Sequence, residues 1–455
     1  MRQAFFLFTL LCLLGSGLAN AAEVIERFQV EPVFGTKIRI VEAGLDKPLT
    51  LILLHGVGPE GATIWDDFIP EIALEYHVVA CDLPGFGQSD KPNLLYSPER
   101  YSAFLDWLVN QTTTDRYILV GHSLGGALAL HYTATAPLKP EQLILIDAAG
   151  ILHRATLTKF MTHLNVGEEN AYVPDRPVSW INRFTGTMIE KLQGVPIHLD
   201  FVLNTAKLRK KILQSDPNKI AGLALIQTNF TALIERVETP TNLIWGRDDN
   251  VAPLRTGQLL AARLPQAELS VIPECGHTPM RQQPDLFRQS LWQALLTPPT
   301  PLPAPIVSLT DRVGSCRNQE NASFSGHYRR IDINRCQKVQ LVDVTTAALT
   351  VTGSEVTIER SRIAGPGIGL HSIRSRIKAT ALDIEANPPI QTDQSKFDFV
   401  GVHLKSSTEQ LVVGEGKPSR LLFSVSRGIS PQFNDSLHDV VSISKQRPFK
   451  PGNNR

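Results

Sequence analysis

In "YILVGHSLGG" (residues 117–126) one hydroxyl, Ser123, stands between glycines where an apolar, β-branched run must stop. Tyr117 to Val120 read as a buried strand, and the Leu/Ala-rich run from Leu124 to Tyr132 reads as a helix. Gly121 and Gly125 flank the serine at the Gly-x-Ser-x-Gly spacing, which lets strand and helix approach while the serine backbone takes a strained turn. Its side chain then stands clear of the sheet, beside amides that open a helix. The competing reading is a plain turn or helix cap. A nucleophilic serine needs a base, and a neutral imidazole needs an acid that fixes its tautomer. His277, closing "VIPECGHTP" just before the helix "QPDLFRQSLWQAL", is the candidate base. His122 points to the opposite side of the corner and is assigned packing or hydrogen bonding. His55 is expected to order the loop behind the oxyanion site, with a role as base the lesser reading. For the acid, "IWGRDDNVAP" offers Asp248 and Asp249, which local chemistry cannot separate, and either could instead cap the turn. In "LLHGVGPEG", Gly56 and Val57 place a loop beside the serine strand, so the amides of Val57 and Leu124 suit a developing oxyanion. That loop lacks the Lys-Ser/Thr ending of a phosphate cradle.

These residues sit at the ends of recurring apolar strands. "KIRIVEAG" (37–44), "TLILLHG" (50–56), "HVVACDLPG" (77–85), "EQLILIDAAG" (141–150), "TNLIWGRDD" (241–249) and "AELSVIPECGH" (267–277) alternate with helical patterns such as "ERYSAFLDWLVNQ" (99–111). Continuous apolar strands require cover on both faces, so a mostly parallel α/β sheet is expected. Some ninety residues between Gly150 and Asp249 show no clear strand. They read as a helical cap, about 151–235, over the strand ends where open α/β sheets bind ligands. Its aromatics Phe160, Trp180, Phe184 and Phe201 suggest a partly apolar pocket.

Residues from about 30 to 297 resemble the α/β-hydrolase fold family, nearest its carboxylesterase, lipase-like and meta-cleavage-product hydrolase branches. The motifs are the oxyanion loop "LLHGVGPEG", the Asp-x-Pro-Gly-x-Gly-x-Ser loop in "CDLPGFGQSDKP", the elbow "GHSLGG", the acid motif in "WGRDDNVAP" and the histidine of "CGHTP". The resemblance puts the acid on Asp249, with Asp248 the lesser choice, and implies an acyl-enzyme mechanism without metal or organic cofactor. Ser123, Asp249 and His277 would be catalytic, Val57 and Leu124 the oxyanion donors, and His55, Gly56, Gly121 and Gly125 supporting. Carbon–carbon bond hydrolases of the family share "HGxGPG", but this chain has Glu60 in "GPEG". An ester with an apolar part is therefore the expected substrate. Carbon–carbon bond hydrolysis and cofactor-free perhydrolysis are the alternatives within the fold, and a binding or adhesion protein on a hydrolase-like scaffold is the alternative outside catalysis.

A chain of 455 residues exceeds one ordinary core. Its formal charge of +1 offers no footprint for nucleic acid, and "KLRKK" (207–211) and "RRIDINR" (329–335) read as solvated faces. After Arg2 comes "AFFLFTLLCLLGSGLA", and "ANA" at 19–21 fits a cleavage signal. Residues 1–21 are thus expected to be a signal peptide and the mature chain, 22 onward, periplasmic or extracellular; an uncleaved membrane anchor is the alternative. Cys81 reads as a buried small hydrophobe. Cys316 and Cys336 could pair in an oxidising compartment. No metal-binding spacing is present.

"LLTPPTPLPAPIV" cannot continue a helix and reads as a stiff linker, 298–312, closing a hydrolase domain of 22–297. From 313 to 455 the texture becomes β-rich. "KVQLVDV", "SEVTIERSRI" and "RIKATALDIEA" recur at about twenty residues, a period that suits a parallel β-helix, and "FVGVHL" and "QLVVGEG" extend it. Around "VTIERSRIAGPGIGLHSIRSRIKATALDI" the segment resembles the right-handed β-helix family, with a β-sandwich of hairpins as the rival. Asp383, Glu385 and Asp398 read as turn or face residues. A surface or glycan contact, or support of the hydrolase, is the expected role.

Overall fold

The computed structural model describes residues 23–112, 116–152, 199–300 and 311–450. The expected leader, Phe160, Trp180 and Phe184 of the expected cap, and most of the proline-rich segment lie outside these residues. Among the described residues no helix is long and apolar enough to cross a membrane.

Strands β1 (Val24–Val30), β2 (Lys37–Ala43), β3 (Thr50–Leu54), β4 (His77–Cys81), β5 (Tyr117–His122), β6 (Gln142–Ile146), β7 (Thr241–Gly246) and β8 (Ala267–Ile272) form one sheet ordered β1-β2-β4-β3-β5-β6-β7-β8. β2 runs antiparallel to both β1 and β4, and all later pairings are parallel. Continuous apolar runs fill the centre: Leu51, Ile52, Leu53 and Leu54 are fully buried, each such side chain contributing about 1.5–3 kcal/mol. β1 was not expected, because its Val24, Phe28 and Val30 lie exposed at the sheet edge and show no buried face.

Two helical layers supply the cover that the parallel strands require. Helices α1 (Ile69–Ile72), α2 (Pro98–Thr112), α3 (Leu124–Thr135), α4 (Leu199–Asn204), α5 (Ala206–Leu213), α6 (Pro217–Gln227), α7 (Phe230–Ile234), α8 (Leu254–Arg263), α9 (Pro279–Gln282) and α10 (Pro284–Leu296) follow in chain order. α2, α3 and α8 bury their apolar sides on one face of the sheet, and α1 and α10 on the other. The described part of the expected cap is helical. Asp216 caps α6 by accepting the Asn218 N–H at 2.9 Å, and Pro217 fits its first turn. α6 lies over strand ends: a Cβ on Gly85 would reach Pro217 at 3.0 Å, and one on Gly150 would reach Leu225 at 2.1 Å. Within "KLRKK" the solvated-face expectation fails at Arg209, which is buried and held by the carbonyls of Leu203 and Asn93.

An additional all-β region follows. Its strands are β9 (Val313–Arg317), β10 (Ser323–Tyr328), β11 (Arg330–Asn334), β12 (Val339–Thr346), β13 (Leu349–Thr352), β14 (Glu355–Ala364), β15 (Leu370–Ile373), β16 (Arg376–Glu385), β17 (Ile390–Asp393), β18 (Lys396–Val400), β19 (His403–Lys405), β20 (Val412–Gly414), β21 (Ser419–Ser430) and β22 (Phe433–Ile443). Up to β18 they alternate between two sheets, one ordered β20-β17-β15-β13-β11-β9 and one built on β10-β12-β14-β16-β18-β21. Pairing within both is parallel except for β21 with β22. Register stacks like on like: Val339, Val356, Ile377, Phe397 and Leu421 form one buried column, and Ile331, Leu349, Leu370, Ile390 and Val412 another. "FVGVHL" is not one strand. Gly401, at φ +61°, separates β18 from β19. Cys316 and Cys336 are joined by a disulfide within this region.

The two regions meet chiefly on α8, with a second contact where Glu235 after α7 pairs with Arg427 of β21. Arg255 places Nη1 2.9 Å from Oδ2 of Asp398, and its Nη2 donates to the Ala379 and Asp398 carbonyls. Arg263 donates to the Gly401 carbonyl at 3.0 Å and pairs with Asp383. Asp398, expected on a turn or open face, is instead buried at this joint. Asp383 also turns toward the joint, whereas Glu385 pairs with Lys405 and Arg362 on the surface.

Candidate active site

The C-terminal ends of β3, β5, β7 and β8 converge, and every expected site residue leaves one of them. Ser123 follows β5 with φ +54° and ψ −117°, a strained conformation that its surroundings hold in place. Its N–H donates to Ile146 at 3.0 Å, and its carbonyl accepts from Ala149 and Ala127. Glycines make the corner sterically feasible. A Cβ on Gly125 would come 2.6 Å from the Leu54 and His55 carbonyls, and one on Gly121 would come 2.3 Å from the Gly125 carbonyl. A Cβ on Gly56 would come 2.9 Å from Ser123 Cβ itself.

Ser123 Oγ lies 2.8 Å from His277 Nε2, and His277 Nδ1 lies 2.8 Å from Asp249 Oδ2. The buried carboxylate accepts from Nδ1–H, which leaves Nε2 free to accept the serine proton. Asp249 is fixed in turn, its Oδ1 accepting the Val251 and Ala252 N–H groups at 2.7 and 3.0 Å. Asp248 is exposed at the pocket rim. The structure thus separates two aspartates that local sequence could not. It brings Ser123, His277 and Asp249 together and leaves Asp248 out.

The supporting histidines are buried. His55 Nε2 accepts from Leu83 N–H at 2.9 Å, so its Nδ1–H donates to the Gly56 carbonyl. Burial lowers its pKa, and the neutral ring ties the loop after β3 to the loop after β4. His122 donates from Nε2 to the His277 carbonyl at 2.7 Å, and burial pushes its pKa down to about 3. It is a neutral strut for the His277 backbone. Among the described residues, the Val57 and Leu124 amides donate to no protein acceptor, as oxyanion donors must.

Two further carboxylates, Asp82 of the Asp-x-Pro-Gly-x-Gly-x-Ser motif and Asp147, have no role that the sequence assigns. Asp82 accepts from the Ala62 and Gln88 amides at 2.6 and 2.8 Å and so joins the loop after β3 to the glycine-rich loop after β4. Asp147 follows β6 directly, beside Asp249, and its position after a strand was its only sequence signal. The cavity above Ser123 measures about 870 Å³ and is lined by Gly56, Val57, Ile64, Val251, His277 and Arg281, among others. Arg281 pairs with Glu60 at 3.4 Å across its mouth. Among the described residues no cluster of His, Cys, Asp and Glu has the arrangement of a metal site.

Residues 50–281 match the model of the alpha/beta hydrolase fold family, and the chain belongs to that family. Relatives named as hydrolases of 2-hydroxy-6-oxo dienoic acids recur among the similar proteins. The one from Metapseudomonas resinovorans is 26% identical over 256 residues, covering 56% of this chain and 85% of that protein. A pimeloyl-acyl-carrier-protein methyl ester esterase of Nitrosomonas europaea is 29% identical over 252 residues, covering 52% of this chain and 92% of its own. A solved hydrolase structure from Pseudomonas aeruginosa aligns with a TM-score of 0.44 at 22% identity, covering 60% of this chain and 98% of that one. The family match ends at residue 281 and leaves the all-β region outside it.

Proposed function

We propose that this protein is a serine hydrolase that cleaves a bond to a carbonyl carbon through Ser123. The observation that carries this is the pair of 2.8 Å contacts running from Asp249 through His277 to Ser123 Oγ, at the floor of an open cavity. Ser123 attacks the carbonyl carbon as His277 Nε2 takes its proton. The Val57 and Leu124 amides receive the oxyanion, His277 protonates the leaving group, and water activated by the same histidine releases the acyl group.

The relatives support carbon–carbon bond hydrolysis ahead of the ester expected from sequence, since dienoic acid hydrolases recur among them. One observation favours the ester. Among the described lining residues, Glu60, Asp248 and Glu274 stand against the cation Arg281, a field that disfavours an anionic dienoate. A fluorophosphonate probe should label the purified protein and leave Ser123→Ala unlabelled; equal labelling of the variant overturns the assignment. Turnover of a neutral acyl ester series against a 2-hydroxy-6-oxo dienoate then decides the bond.

The leader-like first residues and the Cys316–Cys336 bond support an oxidising compartment outside the cytoplasm. For the all-β region, the alternation of strands between two parallel sheets supports the β-helix reading over hairpins. The grip on α8 supports a supporting role for it.

A further inference from the structure

The reaction as drawn leaves the carboxyl of Asp147 without a task. This residue leaves β6 at φ +43° and is fully buried. Its N–H donates to the Ile244 carbonyl at 3.0 Å, and its Oδ1 accepts the Gly246 N–H at 2.8 Å. Both contacts stitch it to β7, directly before the loop that carries Asp249. No N–H or O–H of a described residue reaches its Oδ2. The Asp249 side chain stands within hydrogen-bond reach of this carboxyl. Asp249 already accepts three hydrogen bonds, from Val251, Ala252 and His277. Two ionised carboxylates accept only, so they cannot bond to each other, and in a dry site they repel.

We propose that Asp147 is a positioning residue that keeps its proton at neutral pH and donates it as a hydrogen bond to Asp249. The pair then carries one negative charge, on Asp249, opposite His277, with the proton taken from solvent on folding. This rests on the reading of Ser123, His277 and Asp249 as the reacting groups. Burial and the neighbouring Asp249 both push the Asp147 carboxyl well above the usual range. The other titratable groups nearby offer no second cation. The Cys275 thiol, raised to about 11 chiefly by burial, stays neutral, and so does His122. Among the described residues no lysine or arginine pairs with Asp147. A neutral donor at this point holds the Asp249 carboxylate in the orientation that meets His277 Nδ1 and disperses its charge.

Asparagine reproduces this arrangement, its amide oxygen accepting from Gly246 and its amide N–H donating to Asp249. Asp147→Ala should therefore lower kcat by roughly ten- to a hundredfold with KM little changed, and Asp147→Asn should restore most of that loss. The acidic limb of the kcat/KM profile should coincide in wild type and Asp147→Asn. A limb shifted down by about one pH unit in Asp147→Asn would mean that a negative charge beside His277 had been removed, and that Asp147 is ionised. The direct measurement needs no turnover. In the Ser123→Ala background at pH 7, the infrared spectrum should hold the C=O stretch of a protonated carboxyl that disappears with Asp147→Asn. Absence of that band overturns the proposal even if Asp147→Ala fails to fold. Full turnover by Ser123→Ala would instead overturn the hydrolase reading while leaving the band intact.

Discussion

His122 shows how one side chain couples the site to stability. It accepts a proton only near pH 3 in the folded protein, against about 6.5 for a free histidine. Between those values the unfolded chain binds one more proton at this residue, so its contribution to stability is full above about pH 6.5 and falls as pH drops toward the folded value. At pH 5 the loss from this residue is about 2 kcal/mol, and His55 adds to it in the same direction. The change in urea-unfolding stability from pH 7 to pH 5 should be more unfavourable by about 2 kcal/mol in the unaltered protein than in His122→Asn, because the proton that Asp147 takes up on folding works in the opposite direction equally in both. Most residues of the site were legible in the sequence because each ends a strand in a recognisable motif. Asp147 was not, because what defines it is a neighbour a hundred residues away that only the sheet order brings alongside.

At the level of elements, the α/β sheet was readable because its strands are long, apolar runs. The all-β region was half readable. Its long strands β12, β14 and β16 were visible, but β13, β15 and β17 have four residues each and too few alternations to register. Beside the apolar columns, a serine column marks the repeat. The Cys336 N–H donates to Ser354 Oγ, Ser354 N–H to Ser375 Oγ, Ser375 N–H to Ser395 Oγ, and Ser395 N–H to Ser419 Oγ, at 2.9 to 3.2 Å. Each serine opens a Ser-x-apolar step, "SEV", "SRI", "SKF" and "SRL", a signal present in the sequence and easily lost among surface polar residues. Ser375→Ala should cost about 1–3 kcal/mol, because it strands the buried Ser354 amide, whereas Thr350→Ala, at a half-buried position of β13, should be close to neutral. Chemical denaturation of the two variants checks this.

Across the whole molecule, the joint between the regions is a buried ion pair set on the helix that begins just beyond the Asp249 loop. Arg255→Ala removes the guanidinium from a carboxylate whose side chain is 1% exposed, a change expected to cost about 3–5 kcal/mol. Calorimetry should give one transition for the unaltered protein and two for the variant. The proline-rich segment supplies connection, while α8 supplies attachment: Val400 packs into the hydrolase core, and a Cβ on Gly401 would strike Leu259 at 2.2 Å. The chain can therefore be cut without being divided. With a protease site placed within residues 301–310, cleavage should yield two fragments that still co-elute in gel filtration, and they should separate once Arg255 and Arg263 are both replaced by alanine. The hydrolase expressed without its companion would present a bare apolar face flanked by two unneutralised arginines, a sticky surface in place of a free-standing enzyme.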